Sequence, residues 1–288
     1  MTIIDAHLHV WDPERVRYPW LTPALAPIDR TIRVDEVLGD LTEAGVSGAI
    51  LVQAADDAAE TAHLLAVADE HPEIVGVVGW VPLDEPERAA TELARLRTDP
   101  HFVGIRALIH DRDPAWIQSP AVDEGLGVLE SAGVPFDFVT AGPAALAALP
   151  QIAARHPDLT IVLDHLGKPP IGGTSAAVEE WRALLERAAE NPRLSAKISG
   201  LYAPGPDPAA WTPGGVREAV DTALETFGPD RLMYGSDWPI SVLAGGYRRV
   251  WDALSATLGH LDPAERGAVL GGTARRVYDL KDSREEPR

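Results

Sequence analysis

The sequence predicts an α/β protein of one domain, a distorted parallel (β/α)8 TIM barrel, and three observations lead there. Short apolar, β-branched runs alternate eight times with segments of 3.6-residue apolar spacing. Glycine or proline ends several of the helical segments just before a strand begins. The 288 residues show no Ser/Gly linker and no fixed repeat, and their number suits one barrel of roughly 250 residues with modest additions.

The strand candidates are Ile3 to Val10, Gly48 to Gln53, Ile74 to Trp80, Val103 to Ile109, Val134 to Val139, Thr160 to Asp164, Leu194 to Ser199 and Leu232 to Gly235. Helical periodicity falls on Val34 to Ala44, Ala58 to Glu70, Pro86 to Arg97, Val122 to Ala132, Ala144 to Arg155 with a restart expected at Pro150, Ala176 to Ala189 and Val216 to Phe227. Arg249 to Leu258 and Pro263 to Tyr278 complete the outer ring. Gly45 and Gly133 stand where helices should stop, and Pro72 and Pro157 prevent continuation at two others. These turns belong to the N-terminal face, so the domain is expected over residues 1–280, with a polar tail over 281–288.

Composition narrows the function. With 25 basic and 44 acidic side chains the net charge is −19, which argues against nucleic acid and anionic membranes as partners. Cysteine is absent, leaving imidazole and carboxylate as the strong metal ligands and excluding thiol chemistry. The longest uncharged stretches are broken by proline, so no membrane span is expected. The start MTIIDAHLHVWD lacks a secretory pattern, and a cytoplasmic address is the expectation.

Barrel chemistry takes place at the C-terminal ends of strands, and that position sorts the nine histidines. His71, His101 and His156 precede strands, His63 lies within a helix and His260 between helices, so these five are expected as caps or surface residues. His7, His9, His110 and His165 remain. His7 and His9 are two apart in a strand, so both imidazoles face the barrel interior, where they can clamp one cation or one carbonyl oxygen or simply pack. His165 follows the sixth strand. Asp237, in Tyr234-Gly235-Ser236-Asp237-Trp238-Pro239 after the eighth, faces His7 and His9 because strands one and eight adjoin in a closed barrel; capping the next helix is its other reading.

These residues resemble the amidohydrolase superfamily, in its lactonase-like branch. The matching pieces are Asp5-Ala6-His7-Leu8-His9, Leu163-Asp164-His165-Leu166-Gly167-Lys168-Pro169 and Gly235-Ser236-Asp237-Trp238-Pro239, with Tyr18-Pro19-Trp20-Leu21, Gly104-Ile105-Arg106, Ile109-His110-Asp111 and Lys197-Ile198-Ser199-Gly200 extending the likeness along the chain. The resemblance implies an amidohydrolase-type barrel and is nearest to sugar-lactone hydrolases such as fucono- and rhamnono-lactonases. The fifth strand departs from the metal-dependent pattern, since Val134-Pro135-Phe136-Asp137-Phe138 holds no histidine. At most one divalent cation, Zn2+ or Mn2+, is therefore expected on His7, His9, His165 and Asp237, or none, since metal-free lactonases also occur in this branch.

The expected reaction is opening of a neutral sugar lactone to the sugar acid. Asp237 would take a proton from water and return it to the ring oxygen, while His7, His9 and His165 or a cation stabilise the oxyanion. Arg106, His110, Gln53, Asp137 and Lys168 are the expected contacts to substrate oxygens, and the indoles of Trp20 and Trp238 to its C–H faces. Among cations only Arg106, Lys168, Lys197 and Arg112 stand near the mouth, against Asp137, Asp164 and Asp237, so neutral lactones are expected to be preferred to dicarboxylates. The alternatives are a single-metal amidohydrolase or decarboxylase acting on an aromatic or carboxylated substrate, and a non-catalytic sugar-acid binder. A homo-oligomer is left open.

Overall fold

The structure, a computed structural model, describes residues 2–113, 115–140, 142–201 and 211–281. Eight parallel strands form one sheet in sequential order. They are β1 (Ile3–Leu8), β2 (Val46–Val52), β3 (Ile74–Gly79), β4 (Phe102–Ala107), β5 (Phe136–Phe138), β6 (Ile161–Leu163), β7 (Leu194–Ile198) and β8 (Leu232–Tyr234). All eight expected strands are present within two residues at most of their expected ends. Of the later ones, β5, β6 and β8 run three residues each.

Helices α1 (Leu38–Ala44), α2 (Ala58–Glu70), α3 (Pro86–Leu96), α4 (Pro120–Ala132), α5 (Pro143–Arg155), α6 (Ser175–Ala189) and α7 (Pro213–Phe227) separate the strands. After β8 come α8 (Ile240–Leu243), α9 (Tyr247–Thr257), α10 (Pro263–Gly267) and α11 (Thr273–Val277). Asp57, Ser119, Thr174, Thr212 and Asp262 accept backbone N–H groups at helix starts, and Gly45 and Gly133 end α1 and α4 in left-handed conformation, at φ 72° and 66°. None of the described helices is long and apolar enough to cross a membrane.

Three helix expectations need correction. Pro150 does not restart α5, which runs through it. Proline forfeits one backbone bond there, while Leu146, Leu149 and Ile152 stay buried on one stripe. The expected helix over 34–44 is split into a 3-10 turn, Val34–Glu36, and α1 at Val37, whose φ of −112° departs from the ideal helical value near −63°. The last one, over 263–278, is widened by a π-helical turn, Ala268–Gly272. The expected polar tail falls outside the described residues from 282 on.

Two apolar clusters hold the fold. The larger lies between the helices and the outside of the barrel. The smaller fills the barrel axis with Ile4, Ala6, Ile50, Val52, Val78, Val162 and Met233, and Ala274 and Tyr278 of the C-terminal segment close it from below. The β8–β1 seam is joined differently from the other seven pairs, by backbone bonds from Asp237 N–H to the His7 carbonyl (2.9 Å) and from His9 N–H to the Trp238 carbonyl (2.7 Å). Asp237 is therefore fixed by barrel closure itself.

Candidate active site

His7 and His9, two apart in β1, reach the axis together through the irregularity in register between Asp5 and Leu8, their Nε2 atoms 3.1 Å apart. His9 donates its Nδ1–H to the Val52 carbonyl (2.7 Å), which leaves its Nε2 lone pair facing the mouth. Asp237 Oδ1 lies 3.5 Å from His9 Nε2 and 3.8 Å from His7 Nε2. His165 packs edge-on against His7, ring centres 4.6 Å apart, and its Nδ1 is 2.9 Å from Ser199 Oγ. The four residues expected to carry the chemistry therefore meet at one point. His9, His165 and Asp237 line a cavity of about 570 Å3, and His7 lies fully buried beneath it.

The backbone is strained to achieve this. His165, Leu166, Lys168 and Asp237 are non-glycine residues at φ 52–57°, in the left-handed region. Gly200 has φ 57°, and a Cβ there would sit 2.6 Å from His165 Nδ1 and 2.8 Å from Asp237 Oδ2. Asp5 accepts the His7 and Ser236 N–H groups (3.1 and 2.9 Å), tying the first strand to the turn that carries Asp237. Burial pushes the Asp5 carboxyl up to about 6.

Burial opposes charging of the imidazoles: His165 is pushed down to about 4, and His7 well below its usual value despite the nearby Asp164 carboxylate. Burial alone would raise Asp237. The His165, His9 and His7 side chains outweigh it and hold the carboxyl well below the usual range, so Asp237 is ionised throughout the neutral range.

Beneath the site lies a fully buried charge cluster. Lys197 Nζ is 2.6 Å from Asp137 Oδ2, 3.2 Å from Asp164 Oδ1 and 3.2 Å from His7 Nδ1. Tyr278 donates its hydroxyl to Asp137 (2.8 Å to Oδ1). Arg106 donates to Asp164 Oδ2 (3.0 Å), and the same nitrogen lies 3.2 Å from His7 Nε2. Burial raises Asp137 to about 6, whereas Lys197 and His7 keep Asp164 far below the usual carboxylate range against the effect of burial.

The expected substrate contacts separate into two groups. Arg106, His110, Lys168 and Trp20 line the cavity, Trp20 held by a bond from its indole N–H to the Ala54 carbonyl (2.8 Å), and Trp11 joins them. Burial and the neighbouring Lys168 push His110 down to about 4, and desolvation lowers Lys168 itself. Asp137, Gln53 and Trp238 are not in its wall. Asp137 lies below the mouth, engaged by Lys197 and Tyr278. Gln53 is fully buried and donates its amide to the Arg106 carbonyl (2.9 Å). Trp238 packs into the outer core at 4% exposure. Lys197 also belongs below the mouth, and Arg112 is paired with Asp56 (2.8 Å).

On the sequence alone, Asp164 has no expected role beyond subtracting from the local potential. A signal existed, since Val162 faces the barrel axis and Asp164, two residues on, shares that face.

The donor set fits one divalent cation. The Nε2 atoms of His7 and His9 and a carboxylate oxygen of Asp237 lie within 4.8 Å of one another, and nitrogens 3.1 Å apart require a proton or a cation between them. His165 falls in a second grouping, with His7 and Asp164, where Lys197 and Arg106 already neutralise the carboxylate.

Residues 4–280 match the amidohydrolase family. An L-fucono-1,5-lactonase of Burkholderia ambifaria is 34% identical over 283 residues, covering 96% of this chain and 95% of the relative. The crystal structure of an amidohydrolase from Burkholderia multivorans with bound HEPES superposes with a TM-score of 0.90 at 30% identity, covering 98% of this chain and 100% of that one. A crystal structure of an amidohydrolase from the same organism with bound zinc gives 0.88 at 31% identity, with the same coverage.

Proposed function

The chain belongs to the amidohydrolase family, and on that premise we propose that it opens a neutral sugar lactone to the sugar acid with Asp237 as general base. The observation that carries the reading is the meeting of an ionised carboxylate with three imidazoles at the floor of a cavity walled by Trp11 and Trp20. The curated relative named as an L-fucono-1,5-lactonase supports the substrate class.

Asp237 accepts a proton from water as the water oxygen adds to the lactone carbonyl. Its low basicity is offset by placement, since barrel closure and the His9 contact fix its carboxylate at the cavity floor. With Ser199 Oγ at its Nδ1, His165 can present Nε2–H to the developing oxyanion. A divalent cation on His7, His9 and Asp237 would supply Lewis acidity at the same oxygen. The ring ester needs less activation than an amide, and Trp20 offers an indole face to the C–H side of a sugar ring.

Neutral substrate follows from the accounting of cations. Arg106 is engaged by Asp164, Lys197 is buried with Asp137, and Arg112 is held by Asp56, which leaves Lys168 as the one lining cation with no ion pair among the described residues. A dianion would find too little positive charge there. The test is a pH-indicator screen of aldonolactones against 2-pyrone-4,6-dicarboxylate, on the wild type and Asp237→Asn. Higher kcat/KM on the neutral lactones and a loss of about two to four decades in the folded variant are expected. Near-normal activity of Asp237→Asn, or a clear preference for the dianion, would overturn the assignment.

A further inference from the structure

We propose that Lys168 is the acid that protonates the departing ring oxygen, an inference that rests on the lactone-hydrolase reading above. Opening the ring releases an alkoxide, which needs a proton as the C–O bond breaks. On the sequence alone, both transfers fall to Asp237. One carboxylate would then have to reach the attacking water and the ring oxygen in turn, although its position is set by the His7 and Trp238 backbone bonds and by His9.

Geometry favours one other donor. Guanidinium groups do not release protons in the neutral range, so Arg106 and Arg112 cannot serve. Lys197 is fully buried beneath His7 and shared among Asp137, Asp164 and His7. His165 is held at Nδ1 by Ser199, and His9 at Nδ1 by the Val52 carbonyl. His110 is 3.6 Å from Asp111 at the rim.

Lys168 lines the same cavity as Asp237 and His165, and its ammonium has neither a hydrogen bond nor an ion pair among the described residues. Its backbone is held at φ 57° by donation of its N–H to the His165 carbonyl (2.8 Å), between left-handed Gly167 and the pair Pro169-Pro170. A lysine gains nothing locally from that conformation, and its effect is to direct the side chain from the strand end that also carries His165.

The step balances. The water oxygen bonds to the carbonyl carbon and Asp237 takes one water proton. As the tetrahedral intermediate collapses, the C–O bond to the ring oxygen breaks, its electron pair stays on that oxygen, and an N–H proton of Lys168 transfers to it. The proton on Asp237 returns through solvent to the neutral amine, and the product is the hydroxy acid.

The test compares two leaving groups in the same enzyme. An aldonolactone expels an alkoxide, whereas dihydrocoumarin expels a phenoxide that needs no proton to depart. Lys168→Met is expected to lose about 100-fold in kcat on the aldonolactone with KM changed less than threefold, and at least tenfold less of its rate on dihydrocoumarin. Lys168→Arg, which keeps the charge but not the acidity, is expected to follow Lys168→Met. Circular dichroism verifies folding of both. Equal losses on the two substrates, an effect confined to KM, or rescue by arginine would overturn the acid role while leaving the hydrolase standing; a wild type that opens no lactone would overturn both.

Discussion

Lys197→Met removes the ammonium that three buried groups share. Asp137, Asp164, His7 and Lys197 are all at 0% exposure, and the lysine sits 2.6 Å from Asp137 and 3.2 Å from Asp164. Asp164 keeps Arg106 at 3.0 Å, but Asp137 keeps only the Tyr278 hydroxyl. Removing one member of a buried ion pair costs about 3–5 kcal/mol, because the remaining charge is left in a medium that solvates it poorly. For a domain of this size that corresponds to a fall in melting temperature of roughly 5–8 °C. With lysine present, burial already lifts Asp137 to about 6; without it the carboxyl rises further and folds in its protonated form. A carboxyl whose folded pKa is raised binds a proton in the folded chain that the unfolded chain has released, so stability falls as pH rises through that window. The variant should therefore lose more at pH 8 than at pH 5.5. Urea unfolding followed by near-ultraviolet circular dichroism at both pH values measures this, with Asp137→Asn/Lys197→Met as the control that removes both charges. The double variant should recover at least half of the loss. A single variant within about 1 kcal/mol of wild type, or a double variant less stable than the single one, would refute the reasoning.

Gly200→Ala should leave the strands intact and reduce turnover by at least tenfold, because the new methyl needs the space of His165 Nδ1 and Asp237 Oδ2 as well as a left-handed backbone; unchanged kcat would contradict it. Glu60 accepts the Ala54 and Ala55 N–H groups, and burial nonetheless pushes it up to about 8, so wild-type stability should decline between pH 5 and 8 by up to about 1.4 kcal/mol per pH unit. Glu60→Gln should flatten that part of the profile, and an unchanged slope would place the titration elsewhere. Elemental analysis after dialysis against zinc or manganese should give at most one ion per chain, lost in His9→Ala; two tightly held ions would show that the Asp164 grouping also binds.

What the sequence made legible was whatever depends on short periodicity. A two-residue spacing in an extended run places His7 and His9 on the same face wherever the strand lies, and ring closure brings Asp237 beside them. Depth along the axis has no such signal. Asp137 faces inward as expected, yet it is fully buried and outside the cavity wall, and its partners Lys197 and Tyr278 lie 60 and 141 residues away. Gln53 follows the end of β2, but its amide is taken by the Arg106 carbonyl of β4, two strands round the barrel. Trp238 shows a different limit: its neighbour Asp237 points into the mouth, and the adjacent side chain turns away into the outer core.

The seam between the last strand and the first couples mechanical integrity to competence. Its lower part is packed by the π-helical turn, where Gly271 lets the backbone lie against Thr2, and its upper part depends on the amides of Asp237 and His9. Those are the residues whose side chains must meet for chemistry. A slight parting of the barrel staves there would carry the carboxylate away from the imidazoles while every helix remained in place. Loss of activity on warming should accordingly begin as a local event at the rim, ahead of any change in helix content, and whatever bridges the two edges from within the cavity acts as a clasp on the whole hoop.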